Sequence, residues 1–376
     1  MIRYPKIKWQ KNSSDKEVKS MKFSKLKWLF IVIIGSFLLS ACGALPMSSW
    51  PGVSVSTQGN YVYAAYASGV FKVDTTNGNM VWRYPEKADN AKQFYAAPAS
   101  DSSGLVVVGD YEFSLFGLDS ETRAEKWTNA DAKGQLVANP LIVNNLVVAP
   151  SADGTVYALS PTDGKTVWKF SSGAAFWAKP VSDGKIVYIS SMDHYLYALK
   201  LSDGSLVWKT DLKAAGVYGV NLADDGHIYL STLGNEVLAL TANRGDIIWR
   251  FATKGSPWAI PVVKDGVVYL GDLSNKAYAI ASDTGKSIWE VDVPGPIVSS
   301  PVLTSNGMIY AAETGDVFEL NYSGKKDWNQ TINGKLYSAP VIVGDVVVVG
   351  VTSGDKNLLL VGYDFSGKQI WTFVVP

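Results

Sequence analysis

With one cysteine and two histidines in 376 residues, this chain lacks the raw material for several kinds of chemistry. A lone thiol, Cys42, allows no internal disulfide, so stability has to come from a packed core. His194 and His227 stand in no HExxH or Cys/His spacing, so no zinc site is expected, and no other metal site is proposed. The apolar run from Trp28 to Leu39 falls short of the roughly 20 residues that a membrane-spanning helix needs. Net charge is also missing: 34 basic residues balance 34 acidic ones. The balance is uneven along the chain, however. Residues 1–27 hold nine Lys/Arg and two Asp/Glu, and residues 28–42 hold none, so 25 basic and 32 acidic residues remain beyond them, a net of about −7. A mildly acidic body without a basic cluster argues against nucleic acid as a partner.

The N-terminus reads as a targeting device. Lys22, Lys25 and Lys27 precede the apolar run, which ends in Leu39-Ser40-Ala41-Cys42-Gly43. This ending resembles the lipobox of bacterial lipoproteins. The resemblance implies a lipid on Cys42, cleavage just before it, and an exported body tethered to a membrane. Residues 1–20 read as an extension upstream of a true start at Met21, residues 21–41 as the signal peptide, and residues 42–49 as the lipidated tether. Gly43 lacks the aspartate that retains lipoproteins at the inner membrane. In a two-membrane cell this favours the periplasmic side of the outer membrane. In a one-membrane cell the protein would sit on the outer face of the cytoplasmic membrane.

What the chain has in abundance is aromatic residues: 13 Trp, 19 Tyr and 13 Phe. Eight of the tryptophans set a register, since Trp82, Trp127, Trp168, Trp208, Trp249, Trp289, Trp328 and Trp371 are 45, 41, 40, 41, 40, 39 and 43 residues apart. Each ends a similar phrase, such as Val156-Tyr-Ala-Leu-Ser-Pro-Thr-Asp-Gly-Lys-Thr-Val-Trp168. A period near 40 marks a repeat architecture. Each repeat reads as four short strands, rich in Val, Ile, Tyr and Leu. In the repeat ending at Trp208 they are expected at 178–182, 186–190, 195–200 and 206–210. Asp183-Gly184 and Asp203-Gly204 supply tight turns. A glycine stands four residues before every docking tryptophan except Trp127, where Arg123 predicts a turn that is looser or of another type. Strands such as Val346-Val-Val-Val are apolar on both faces, as a sheet covered on both sides requires. The recurrent Trp is then a wedge between neighbouring sheets. Pro98, Pro140, Pro180, Pro261, Pro301 and Pro340 recur at one place, with Ser54 and Asn221 substituting, which suits the start of a strand facing a central channel. The fold class is therefore all-β: a single, monomeric eight-bladed propeller over residues 50–376. Eight candidates for the first strand and eight for the last follow in order, which leaves the closure of the ring open between face packing alone, without a strand exchanged between the termini, and an edge strand added by residues 44–49.

The phrase [Val/Leu]-Tyr-Ala-Leu-x-x-x-[Asp/Thr]-Gly-Lys-x-x-Trp resembles the PQQ-like repeat with its tryptophan docking, over roughly residues 50–376. With a lipobox and eight bare blades, the chain is similar to the BamB family of outer-membrane β-barrel assembly lipoproteins. That implies a non-catalytic scaffold without a cofactor, binding a protein or peptide through one face. The chain departs from the family at 211–218, where the extended Leu- and Arg-bearing gripping loop has no counterpart. Quinoprotein dehydrogenases share the repeat but carry an adjacent cysteine pair and lid insertions that this sequence lacks. A quinone-dependent enzyme and a small-ligand sensor stay as alternatives.

Three residues before the proline position stand Tyr95, Trp177, Tyr218, Trp258 and Tyr337, with Val137 and Val298 in two further repeats and Phe94 and Phe176 adjoining. They are expected to form a broken aromatic ring around one channel mouth. Either they bind a partner, as exposed aromatics do at hot spots, or they plug the channel and pack between blades. The turns on the same face add a polar rim, Tyr111, Glu112, Asp153, Asp193, His194, Asn235, Asp272, Asn275, Glu313, Asp316 and Asp355, and an aromatic patch with an acidic rim suits a peptide or protein with basic or extended segments.

Overall fold

The computed structural model describes residues 51–352 and 357–376. Cys42, the signal peptide 21–41, the segments 1–20 and 42–49, and Asp355 lie outside the described residues. Eight four-stranded antiparallel sheets follow one another, each made of four consecutive strands. We call the strands A to D from first to last in each blade. In the fourth blade they are Val181–Ser182, Ile186–Ser190, Tyr195–Lys200 and Leu206–Asp211. The middle two match expectation to the residue. Strand A is shorter than predicted because Lys179 bonds across to the next blade instead of continuing the sheet.

Strands A lie innermost. Those of neighbouring blades touch, as between Val181–Ser182 and Val220–Leu222. Each of the six recurrent prolines directly precedes its strand A, where no ladder hydrogen bond is lost. Strands B and C are buried on both faces, as in Val187 to Ser190 and Leu196 to Leu199. The expectation of two apolar faces fails for the outermost strand D. Thr166–Ser171 alternates between buried and exposed residues around Trp168, because the blades splay apart at the rim and cover one face of strand D poorly.

The hydrophobic core lies in the seams. The eight core clusters each join one blade to its neighbour, as when Val156 and Trp168 of the third blade pack on Ile189 and Leu199 of the fourth. Seven of the eight docking indoles donate Nε1–H to a carbonyl of the next blade's C–D turn at 2.6–3.2 Å. The ring lies against the glycine of that turn. Gly204 has φ +71°, and a Cβ on it would come within 2.5 Å of the Trp168 ring. Glycine is therefore required twice over, by backbone conformation and by the approach of the indole. Arg123, expected to mark a looser turn, holds the same left-handed conformation at φ +61° and the same bond from its N–H to the carbonyl four residues earlier. Asp119 secures that turn by accepting from Thr122 N–H and Oγ1–H, both at 2.9 Å. The Asp203-Gly204 turn is also wider than a two-residue hairpin. Gly204 N–H bonds Lys200 O, and a bulge at Ala198/Leu199 absorbs the extra residue.

Opposite each docking Trp, strand C carries a residue small enough to leave room for it: Ala158, Ala198, Ala239, Ala279, Gly117 and Gly362. The two exceptions are charged and buried. Lys72 sits opposite Trp82 and reaches across the seam to Ser120 O at 2.9 Å and Glu121 Oε1 at 2.8 Å. Glu319 sits opposite Trp328 and accepts its Nε1–H at 2.9 Å, which accounts for the one indole without a bond to the next blade.

The ring, whose manner of closure the sequence left open, closes by face packing, with no strand exchanged among the described residues. Trp371 of the last blade donates to Thr75 O of the first at 2.6 Å and covers Gly78. Phe373 meets Phe71 at 5.7 Å. Trp371→Ala is expected to cost about 3–5 kcal/mol in urea unfolding, as for a buried Trp elsewhere. A loss below about 1 kcal/mol, an ordinary surface effect, would show that the closing seam does not depend on docking.

Candidate binding face at the channel mouth

Backbone hydrogen bonds place the D–A connections and the B–C turns on one face. Met192 N–H donates to Ala175 O at 3.0 Å, Tyr111 to Gln93 at 2.7 Å, Leu233 to Ala215 at 2.9 Å, and Glu313 to Pro296 at 2.8 Å. The aromatic residues three places before the proline position all lie on these D–A connections.

Their burial divides the predicted set. Trp177 is 47% exposed, while Tyr95, Tyr218, Trp258 and Tyr337 are half-buried. Phe94 and Phe176 are fully buried in seam clusters, and Val298 is buried too, so these three form core and not a mouth. Tyr95 and Trp177, next to Phe94 and Phe176 in sequence, point the other way because the extended segment alternates its faces, whereas both neighbours of Val298 are buried with it. Tyr218 and Trp258, from adjacent blades, meet at a centroid distance of 5.6 Å. Tyr95 meets Tyr111 of its own B–C turn at 5.2 Å. Burial pushes the Tyr218 phenol well above its usual range. Burial, then the Glu313 carboxylate, raises that of Tyr337, whose hydroxyl lies 3.3 Å from Glu313 Oε1.

The polar rim is thinner than the sequence suggested. Asp272 is fully buried and accepts from Gly255 N–H, Ser274 N–H and Tyr278 Oη–H at 2.7–2.8 Å, which makes it a brace for the turn and not a rim residue. Asp193 accepts from Tyr195 N–H and Tyr197 Oη–H, so it is largely committed to its own turn. His194 is exposed and left-handed, at φ +74°, in a turn place that Gly154, Asn235, Asn275 and Gly315 fill in other blades. Glu112, Asn235 and Asn275 are exposed; Asp153, Glu313 and Asp316 are half-buried.

Sequence reasoning missed Lys179, which lies between Trp177 and Pro180 on the innermost column. It also missed a row of exposed aliphatics just before the docking tryptophans: Val81, Val167, Val207, Ile248, Ile288 and Ile370. That row was readable in the repeat, broken only by Lys126 and Asp327. A groove of about 520 Å³ between the fourth and fifth blades is lined by Asp183, Tyr188, Trp208 and His227, on the side of the A–B and C–D turns, away from the mouth. Among the described residues no three His, Cys, Asp or Glu side chains gather as a metal site would require.

Asp153 provides a pH test of this face. Burial pushes its carboxyl up, but bonds from Lys133 N–H, Tyr157 Oη–H and Thr155 outweigh it and hold the pKa below the ordinary carboxylate range. A depressed carboxylate adds stability above its unfolded pKa of about 4 and loses it as the pH falls. Asp153→Asn is expected to lower stability at neutral pH and to flatten the acid limb of the stability curve below about pH 4. A variant curve parallel to that of the wild type would contradict this.

The family model described as outer membrane protein assembly factor BamB matches residues 66–174, 152–260 and 236–376. An outer membrane protein assembly factor BamB of Burkholderia pseudomallei is 30% identical over 117 residues, which are 31% of this chain and 29% of that protein. One of Nitrosomonas eutropha is 24% identical over 112 residues, 30% of this chain and 26% of that protein. The chain thus spans less than a third of the length of these curated relatives. Among solved structures, BamB from Moraxella catarrhalis superposes with a TM-score of 0.71 at 18% identity, covering 83% of this chain and 96% of that one. A europium-containing methanol dehydrogenase gives 0.67 at 14% identity, covering 81% and 84%. At these identities the structural likeness is one of fold alone.

Proposed function

This chain belongs to the outer membrane protein assembly factor BamB family, and we propose that it acts as a non-catalytic envelope scaffold that holds a protein partner against the aromatic mouth. The observation that carries this reading is the exposure of Trp177 beside the Tyr218–Trp258 pair. A large ring that is half exposed on a rigid face is the kind of anchor that interfaces bury. The seams are held elsewhere, so the mouth rings are available to a partner without cost to the ring. Asp193 and His194 serve this face by setting the turn that flanks Trp177. Cys42 carries the lipid, with residues 21–41 as signal peptide, 42–49 as tether and 50–376 as propeller. The site is the periplasmic side of the outer membrane in a two-membrane cell.

Crosslinking and co-purification of the full lipidated chain from native membranes tests the reading, with pyrroloquinoline quinone and calcium added in parallel. A component of outer-membrane β-barrel assembly is expected to co-purify. Trp177→Ser combined with Trp258→Ser is expected to lose it while the melting temperature holds. Unchanged retention, or stoichiometric quinone binding with dye reduction, would overturn the scaffold. Cys42→Ala is expected to move the protein from the membrane to the soluble fraction. Persistence in the membrane would overturn the lipid anchor.

A further inference from the structure

We infer that the throat below the aromatic mouth is a carboxylate site centred on Lys179, which takes an acidic side chain of an extended, apolar-flanked segment of the partner. This deepens the reading of the mouth as a partner site and rests on it.

Four observations converge. First, Lys179 occupies the innermost column. It follows Trp177 by two residues and precedes Pro180 and strand A, and its N–H donates to Tyr218 O of the next blade at 3.3 Å. The two D–A segments run parallel there, with Lys179 paired to Gly219. Second, it is the one charge on that column among the described residues. The residues before the other five prolines are Ala97, Asn139, Ile260, Ser300 and Ala339, and in the two blades without proline the strand register puts Gly52 and Gly219 there. Third, Nζ of Lys179 has no hydrogen-bond or ion-pair partner among the described residues, and unlike the other lysines without one it stands on the innermost column and not on the outer surface. Fourth, the side chain is solvent-accessible, yet surrounding protein pushes its pKa below the usual lysine range, with burial as the sole cause. Those two properties coexist where a side chain projects into a channel: water reaches it, but protein encloses it.

An ammonium in such a place is short of hydration and of counter-charge, so a carboxylate gains more there than on an open surface. The surroundings select further. Trp177 and the Tyr218–Trp258 pair offer apolar faces above the amine, and the Tyr218 hydroxyl has no partner among the described residues. The rim mixes charges, with Glu112, Glu313 and Asp316 set among exposed lysines of the D–A connections such as Lys133, Lys213 and Lys335, the last 3.4 Å from Glu313, so it attracts neither sign and leaves the choice to the throat. The fit is thus one acidic side chain flanked by apolar or aromatic residues.

The test uses the full chain in detergent and three fluorescein-labelled peptides with blocked ends, of sequence Gly-Leu-Phe-X-Phe-Leu-Gly with X as Glu, Gln or Lys. Anisotropy is expected to show the Glu peptide bound at least roughly tenfold more tightly than the others, the value of one charge-assisted hydrogen bond. Lys179→Gln should erase the preference, Lys179→Arg should restore it, and Lys179→Glu should transfer it to the Lys peptide. Failure of all three peptides to bind, preference of the wild type for Lys, or a Glu preference that survives Lys179→Gln would each overturn the inference. Partner retention on native membranes separates the two readings. If Lys179→Gln keeps the partner and the Trp177→Ser, Trp258→Ser protein loses it, the scaffold stands and the carboxylate site falls. If both keep it, both fall.

Discussion

The structure depends on one repeated contact: a tryptophan of one blade lying in a slot whose floor is the left-handed glycine turn of the next. A four-stranded sheet of about 30 residues is apolar on both sides and cannot stand alone. It has to be covered twice, and each seam cluster does half of that for two blades at once. The indole fixes the angle of approach, because its ring has to lie flat on a residue without a side chain while its N–H reaches a carbonyl of the same turn. Closure follows from repetition. The eighth seam uses the same parts as the others, so Trp371 finds Gly78 and Thr75 as Trp168 finds Gly204 and Leu201.

That division of labour explains where function can reside. With most of the stability held in the seams, the D–A connections carry the chain from the outermost strand back to the channel and lend each seam only a residue or two, such as Phe176, Leu212 and Leu336. Alternate residues then meet different fates. Phe176 turns into a seam and Trp177, its neighbour, turns out to solvent. The B–C turns are less free than their polar sequences imply. Each must place a residue with positive φ next to the following D–A segment, and His194 fills that place by accepting Leu212 N–H at its carbonyl. Asp193 and Asp272 are likewise occupied in shaping turns, which is the common fate of aspartate in such loops.

What the sequence revealed was whatever repeats. The tryptophan, glycine and proline columns each answer a backbone or packing demand that recurs in every blade, so the blade count, the strand order and two strands of the fourth blade could be read directly. What it hid was of two kinds. Some residues break a column without breaking the structure: Arg123 takes the glycine conformation at a cost of roughly 1–2 kcal/mol, borne by the Asp119 turn bonds, so its turn was misread as looser. Others depend on depth, which a repeat does not encode. Asp272 and Glu313 look equivalent as acidic B–C residues, yet one is sealed under its turn and the other reaches the mouth. The exposed aliphatics before six of the eight docking tryptophans were in plain view but looked like core, since nothing in a strand's composition says that its outer face is left uncovered at the rim.

Lys179 belongs to neither kind, and it changes the electrostatic picture of the mouth. A body with about seven more acidic than basic residues suggests attraction for basic partners, and at long range that holds. Inside a channel the count is local. Beyond a Debye length of about 8 Å, the surface carboxylates are screened from the throat by salt, and within it the innermost column presents one amine and no carboxylate. On the reading proposed above, a segment approaching this face meets a rim of mixed charge and then a cationic floor, with aromatic walls between. Under that proposal the placement of charge along a partner matters more than its net charge, which neither the composition nor the fold alone could have specified.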